Sequence, residues 1–103
     1  MRSLDTIYIA RVSRVVILLQ GKWTIHILCA MREHSVRLSE LRRLIPTASK
    51  KALAARLRSL VEARVVLRRD LSNSVLHVQY DLADGMRDPV VALLDDLAKW
   101  GHT

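Results

Sequence analysis

The side chains best equipped for chemistry in this chain are cations, and they are unevenly spread. Eleven Lys/Arg stand against three Glu between Arg32 and Arg69, whereas residues 70–103 hold two Lys/Arg against six Asp. Inside the basic stretch, Leu53, Leu57, Leu60 and Val61 fall at i, i+4, i+7 and i+8. That spacing predicts a helix over 50–63 with one core-facing stripe. At about 100° per residue the opposite side carries Lys51, Ala55, Arg58, Ser59 and Glu62, with Ser49 and Lys50 at the leading end. Such a face can grip a polyanion, although taken alone it is also what an ordinary helix with a solvated basic side looks like.

Other chemistry finds no footing. His26, His34, His77 and His102 are not paired with cysteines or carboxylates at ligand spacing, so no metal site is expected. Gly21, Gly85 and Gly101 are the only glycines, and none belongs to a phosphate-cradling loop. Neither an enzymatic activity nor a cofactor is expected. The single cysteine, Cys29, falls on an apolar helix beside its buried side, one turn from His26 and Glu33. A packed, inert thiol is expected there, because reactive thiols need an exposed, cationic setting.

The elements that must position the cations follow from periodicity. Leu4, Ile7, Tyr8, Val12, Val15, Val16 and Leu19 predict a first helix over about 4–19, capped by Ser3 and stopped by Gln20-Gly21. A second, apolar on most sides, follows over 24–33, and residues 34–37 form a connector. Ser39 is expected to cap a short helix over 40–45, which Pro46 ends. After the long helix come the β-branched run Val65-Val66-Leu67, then Arg68-Arg69 and a polar tip at 71–74. Beyond the tip Val78, Tyr80 and Leu82 point one way and His77, Gln79 and Asp81 the other, so the two runs make a β-hairpin. Asp88-Pro89 opens a last helix over about 89–100, with Val90, Leu93, Leu94, Leu97 and Trp100 as its stripe.

A short helix, a tight turn, a longer helix and a hairpin in that order form the winged helix-turn-helix layout, an α+β class that is mainly α. The helix-turn-helix would span about 39–63 and the wing about 65–82. In this layout the leading residues of the long helix reach base edges and flanking cations hold phosphates. The candidate contacts to double-stranded DNA are therefore Ser49, Lys50, Lys51, Ala54, Ala55 and Arg58 on the helix. Arg42 and Arg43 precede it, and Arg68, Arg69 and Asn73 lie in the wing. Ala54 and Ala55 would permit close approach to the major groove and can touch thymine methyls. Because Arg68 and Arg69 alternate faces, at most one of them can point at DNA.

The net charge of +7 and a pI near 10.5 also favour an anionic partner. A chain of 103 residues, half of it apolar and without phenylalanine, fits a single domain with one small core. The stripes of both terminal helices exceed what that core can cover. A homodimer is expected, held by Val12, Val15 and Val16 and by Leu94, Leu97 and Trp100, presenting its two reading helices one DNA turn apart on a palindromic site. No apolar run is long enough to span a membrane, and the N-terminus lacks the layout of a secretory signal. With a lone cysteine, these features lead to an expected cytoplasmic location without a membrane partner.

Five ordered motifs are similar to those of the HxlR-type regulators. Gly21-Lys22-Trp23-Thr24 resembles the signature that opens their second helix, and Leu38-Ser39-Glu40-Leu41-Arg42-Arg43 with Ile45-Pro46 resembles their first helix-turn-helix segment. Ser49-Lys50-Lys51, Leu53, Arg56-Leu57-Arg58 and Leu60 match the pattern of their recognition helix, Val78-Gln79-Tyr80-Asp81-Leu82 a strand of the wing, and Trp100-Gly101 the end of the last helix. The resemblance spans roughly residues 10–101. It implies a winged-helix homodimer, joined through its first and last helices, that binds a palindromic operator and represses or activates transcription. Some such regulators respond to electrophiles or oxidants through a cysteine near the start of the first helix, where this chain has Ala10. Arg64 stands where a glycine usually closes the recognition helix, and holding an arginine at positive φ there would cost about 1 kcal/mol. The usual wing prolines are replaced by Ser72, Val75 and Leu76.

Two other readings of the residues stay open. One is a winged-helix interaction module whose basic face meets an acidic protein, since Ala54 and Ala55 leave few groups for direct readout. The other is RNA binding, which a shortage of exposed aromatics for base stacking disfavours. Operator, regulated genes and any small-molecule effector are not legible.

Overall fold

The computed structural model describes residues 2–102. Five helices and a two-stranded antiparallel sheet follow in the order α1 (Thr6–Gln20), α2 (Thr24–Ala30), α3 (Leu38–Leu44), α4 (Lys50–Glu62), β1 (Val66–Asp70), β2 (Val78–Leu82) and α5 (Arg87–Trp100). Helix α4 supplies the centre. Its Leu53, Leu57 and Leu60 are fully buried, and they pack with Ile27, Met31, Val36, Leu41, Ile45 and Val66. Removing such a side chain from water is worth roughly 1.5–3 kcal/mol, so this stripe anchors α4 to everything around it.

The caps show why the helices begin and end where they do. The Asp5 carboxylate, not Ser3, caps α1 by accepting from the N–H groups of Ile7 and Tyr8 at 3.1 and 3.0 Å. A carboxylate at the positive end of a helix suits the dipole as well as the hydrogen bonds. Helix α3 starts at Leu38 rather than Glu40, because Glu40 at its third position accepts from the Arg37 N–H at 3.3 Å. Ser49 caps α4, accepting from the Ala52 N–H at 3.0 Å. Helix α2 stops at Ala30, short of the expected 33. The Arg87 guanidinium takes the carbonyls of Met31 and Arg32, each at 2.7 Å, and also pairs with Asp81. One arginine thus ties the start of α5 to the end of α2 and to β2. Helix α5 begins at Arg87, so Pro89 sits in its first turn, where a missing N–H costs nothing.

In the ribbon Val66 pairs with Leu82, Arg68 with Tyr80 and Asp70 with Val78. Val36, expected in a connector, adds a third line to the sheet by exchanging both backbone hydrogen bonds with Tyr80 at 2.8 Å. It thereby locks the chain before α3 to the wing.

The close of α4 is one of two places where the described residues hold a non-glycine residue in the left-handed region. Val65 N–H donates to the Leu60 carbonyl and Arg64 N–H to that of Val61, the paired bonds of a Schellman motif. The motif puts Arg64 at φ 63, a left-handed conformation that favours glycine. Arg64→Gly should therefore raise stability by up to about 1 kcal/mol, equivalent to about 4–8 °C in Tm for a domain of this size. A thermal melt showing no rise would mean that the arginine side chain stabilises by as much as its backbone costs.

Helix α1 differs from the rest. It has no buried residue, and the molecule measures 65 Å in its long dimension against 29 and 24 Å. Only Leu18 and Leu19, at its end, pack against the core. No single helix is long and apolar enough to cross a membrane.

Candidate nucleic-acid interface

The turn between α3 and α4 is pinned from below by Ile45 and Ala48, whose side chains are buried while Pro46 and Thr47 stay outside. This holds α3 and the leading end of α4 together and turns their polar sides to one surface. Arg42, Arg43, Lys50, Lys51, Ala55 and Arg58 are all exposed there. Ser49 is exposed too, but its hydroxyl oxygen already serves the helix as its cap. Ala54 does not point outward; it is half-buried in the groove between α4 and the ribbon.

Three clefts run across this surface. The first, about 450 Å³, lies over the turn and is lined by Ser39, Arg42, Arg43, Pro46 and Ala48. The second, about 370 Å³, lies between α3, the start of α4 and the wing. It gathers Arg37, Arg42, Lys50 and Arg68 beside Leu38, Leu76 and Tyr80. The third, about 210 Å³, separates α4 from the ribbon and is lined by Ala54, Arg58, Val61, Arg68 and Tyr80. Arg42 is shared by the first two and Arg68 by the last two, so the clefts form one continuous tract. No carboxylate lines any of them. The ion pairs among the described residues, Arg32–Asp95, Arg87–Asp81 and Lys99–Asp96, include none of these cations. Six cations on one surface, with the Asp70 carboxylate acting on Arg68 at the wing end, make a strongly positive tract, poised for an anion that follows the same path.

The wing divides the remaining candidates. Arg68, opposite Tyr80, faces the tract, and Arg69, opposite Gln79, lies on the other side of the ribbon. Asn73 is exposed at the tip, with its side-chain oxygen accepting from the Val75 N–H at 3.4 Å. At the base of the tip the Ser72 hydroxyl, and then its backbone N–H, hold the Asp70 carboxyl below its ordinary pKa.

Two participants lie outside the set expected from the sequence. Arg37 falls in the expected connector, yet its guanidinium donates to the Leu76 carbonyl at 3.3 Å and joins the second cleft. Tyr80 is expected only as an alternating strand residue, yet it lines two of the three clefts. Membership of the basic block is the only hint for Arg37, since a residue outside any periodic segment has no face to assign.

Two expectations need correction. Cys29 is exposed rather than packed, and lines an apolar cleft with Ile25, Arg32, Leu94 and Leu97. Ile25 and Cys29 lie on the face of α2 that looks across this cleft to α5 rather than into the core. Leu94, expected in the dimer stripe, is only 9 % exposed because it is turned into the core. Val12, Val15 and Val16 are 42–47 % exposed, Leu97 38 % and Trp100 83 %.

Helix α3, the turn at 45–49, α4 and the β1–β2 ribbon together make a winged helix-turn-helix, the class of fold in which a second helix is offered to a DNA groove. The sequence pattern of the HxlR-like helix-turn-helix proteins matches residues 18–103, and this chain belongs to that family. The HTH-type transcriptional regulator YdzF of Bacillus subtilis (strain 168) is 35% identical over 85 residues, 82% of this chain and 77% of that protein. A MarR-family regulator of Porphyromonas gingivalis W83 superimposes with a TM-score of 0.80 at 26% identity, over 98% of this chain and 96% of its own. Another, from Enterococcus faecalis V583, shares the fold with a TM-score of 0.83 at 21% identity, over 98% and 89%. By family and fold the chain is a helix-turn-helix transcriptional regulator.

Proposed function

We propose that this regulator binds duplex DNA sequence-specifically, as a homodimer on a palindromic operator. The observation that carries the reading is the continuous tract of Arg37, Arg42, Arg43, Lys50, Arg58 and Arg68, with no carboxylate along it. In this reading Lys50, Lys51, Ala55 and Arg58 enter the major groove from α4, with Ser49 at its leading end and Ala54 on its wing-side flank. Arg42, Arg43 and Arg68 hold phosphates, and Asn73 lies near the backbone at the wing tip. Arg69, on the far side of the ribbon, is the weakest member of the set. The dimer is supported by α1, whose exposed Tyr8, Val12, Val15 and Val16 form an apolar surface of a kind that soluble monomers rarely leave open. Work on the operator would place the protein in the cytoplasm.

Fluorescence anisotropy with a labelled duplex at several salt concentrations tests the reading. Each phosphate neutralised contributes about 0.9 to the slope of log K against log[salt], so three contacts per protomer should give about −5 for a dimer. A flat dependence would contradict the proposal and would direct the search to an acidic protein partner.

A further inference from the structure

Helix α4 has two flanks beside its outward face. One carries Ala54, Arg58 and Val61 and meets the wing. The other carries Arg56, an arginine of the basic block that lines none of the three clefts. Its Nε donates to the main-chain carbonyl of Lys22 at 3.0 Å. Its guanidinium also lies so near Gly21 that a Cβ there would come within 2.6 Å of Nη1 and 2.7 Å of Cζ. Glycine is therefore what admits the arginine.

Gly21 and Lys22 begin the three-residue elbow at which α1 turns through 88° into α2. The elbow is set from several sides. Trp23 is held at φ 70, its ring lies 5.3 Å from the Lys22 ammonium, and it meets His26 edge-on at 5.4 Å. The Gly21 N–H donates to the Leu18 carbonyl at 3.2 Å, and the Gly21 carbonyl accepts from Thr24 at 3.1 Å. A non-glycine residue persists in the left-handed region only where its surroundings over-determine it. The helix that would read DNA is thus bonded directly to the elbow of the arm that would dimerise.

We infer that Arg56 is a positioning residue, clasping Gly21 and Lys22 so that the arm and α4 keep one angle. The inference rests on the dimeric DNA-binding reading. In a dimer joined through α1, that angle sets the separation at which two protomers present their α4 helices. Arg56 then governs which half-site spacing is accepted, without touching DNA. The planar guanidinium suits the role, because it can lie close against the side-chain-free Gly21 while its Nε points at one carbonyl.

The test uses Arg56→Gln, Gly21→Ala and the double variant, with duplexes enriched by the wild type. One probe is an isolated half-site, and the others are palindromes whose half-sites are stepped apart one base pair at a time. Each variant should bind the half-site within about twofold of wild type, while binding to the preferred palindrome falls roughly tenfold and the spacing preference flattens. The double variant should do no worse than either single one, since both break the same clasp. Retention of the wild-type spacing preference by Arg56→Gln would overturn the inference. Equal losses on half-site and palindrome would do the same, because that pattern belongs to a DNA contact or to general destabilisation, as would additive losses in the double variant. A wild type that binds half-sites and palindromes alike would instead overturn the dimeric reading, and the clasp with it.

Discussion

Val15→Asp is expected to leave the chain folded but monomeric, and to cost operator affinity a hundredfold or more. Val15 stands 42 % exposed on α1, in line with Tyr8, Val12 and Leu19 on one side of the helix. No residue of α1 is buried in the protomer, so the substitution removes nothing from the core. In a dimer the same position would be covered by apolar side chains, and a carboxylate buried there without a partner costs several kcal/mol. Two half-sites bound by separate monomers lose the effective concentration that linkage supplies, which is typically worth 10²–10⁴ in affinity. Sedimentation equilibrium at micromolar concentration should show twice the chain mass for the wild type and one mass for the variant. Far-ultraviolet circular dichroism should give similar helix content for both. A variant that stays dimeric would remove α1 from the interface and leave Leu97 and Trp100 to explain the assembly.

The second large effect separates reading from gripping. Lys51 is exposed at the leading end of α4, on the side opposite the buried Leu53 and Leu57, whereas Arg43 lies over the turn beside Pro46. Lys51→Ala should cost about 1–3 kcal/mol on the preferred duplex and much less on random duplex, narrowing the difference between them. Arg43→Ala should weaken all duplexes alike. It should also flatten the salt slope by about 0.9 for each phosphate the arginine no longer neutralises, once per protomer. Anisotropy titrations on preferred and scrambled duplexes at three salt concentrations distinguish the patterns. If Lys51→Ala lowers both duplexes equally, the residue holds a phosphate and base contacts lie elsewhere on α4.

The helix-turn-helix and the wing are legible in the sequence because two periodicities change over within a short stretch. Leu53, Leu57 and Leu60 mark a helix with a period near 3.6, and Val78, Tyr80 and Leu82 mark a strand with a period of two. Both patterns report burial, and the structure buries Leu53, Leu57, Leu60 and Leu82. The strain at Arg64 is legible for a related reason: a helix end in this setting demands a left-handed residue whatever side chain occupies it. Interactions between segments distant in sequence are not legible. The reach of Arg87 to the Met31 and Arg32 carbonyls shortens α2, and the pairing of Val36 with Tyr80 turns a connector into part of the sheet. Neither leaves a local trace. Arg37 and Arg56 show the limit for the site, since a count of basic residues treats them alike. Folding sends one to the basic tract and the other to the elbow behind it.

Selection of bound sequences from a pool of random duplexes tests whether this dimer reads a palindromic operator. One palindrome should be enriched, with half-site centres about 10–10.5 base pairs apart, the separation two recognition helices reach on one face of the duplex. Recovery of no enriched sequence, with wild-type binding that is equal across the pool, would contradict it.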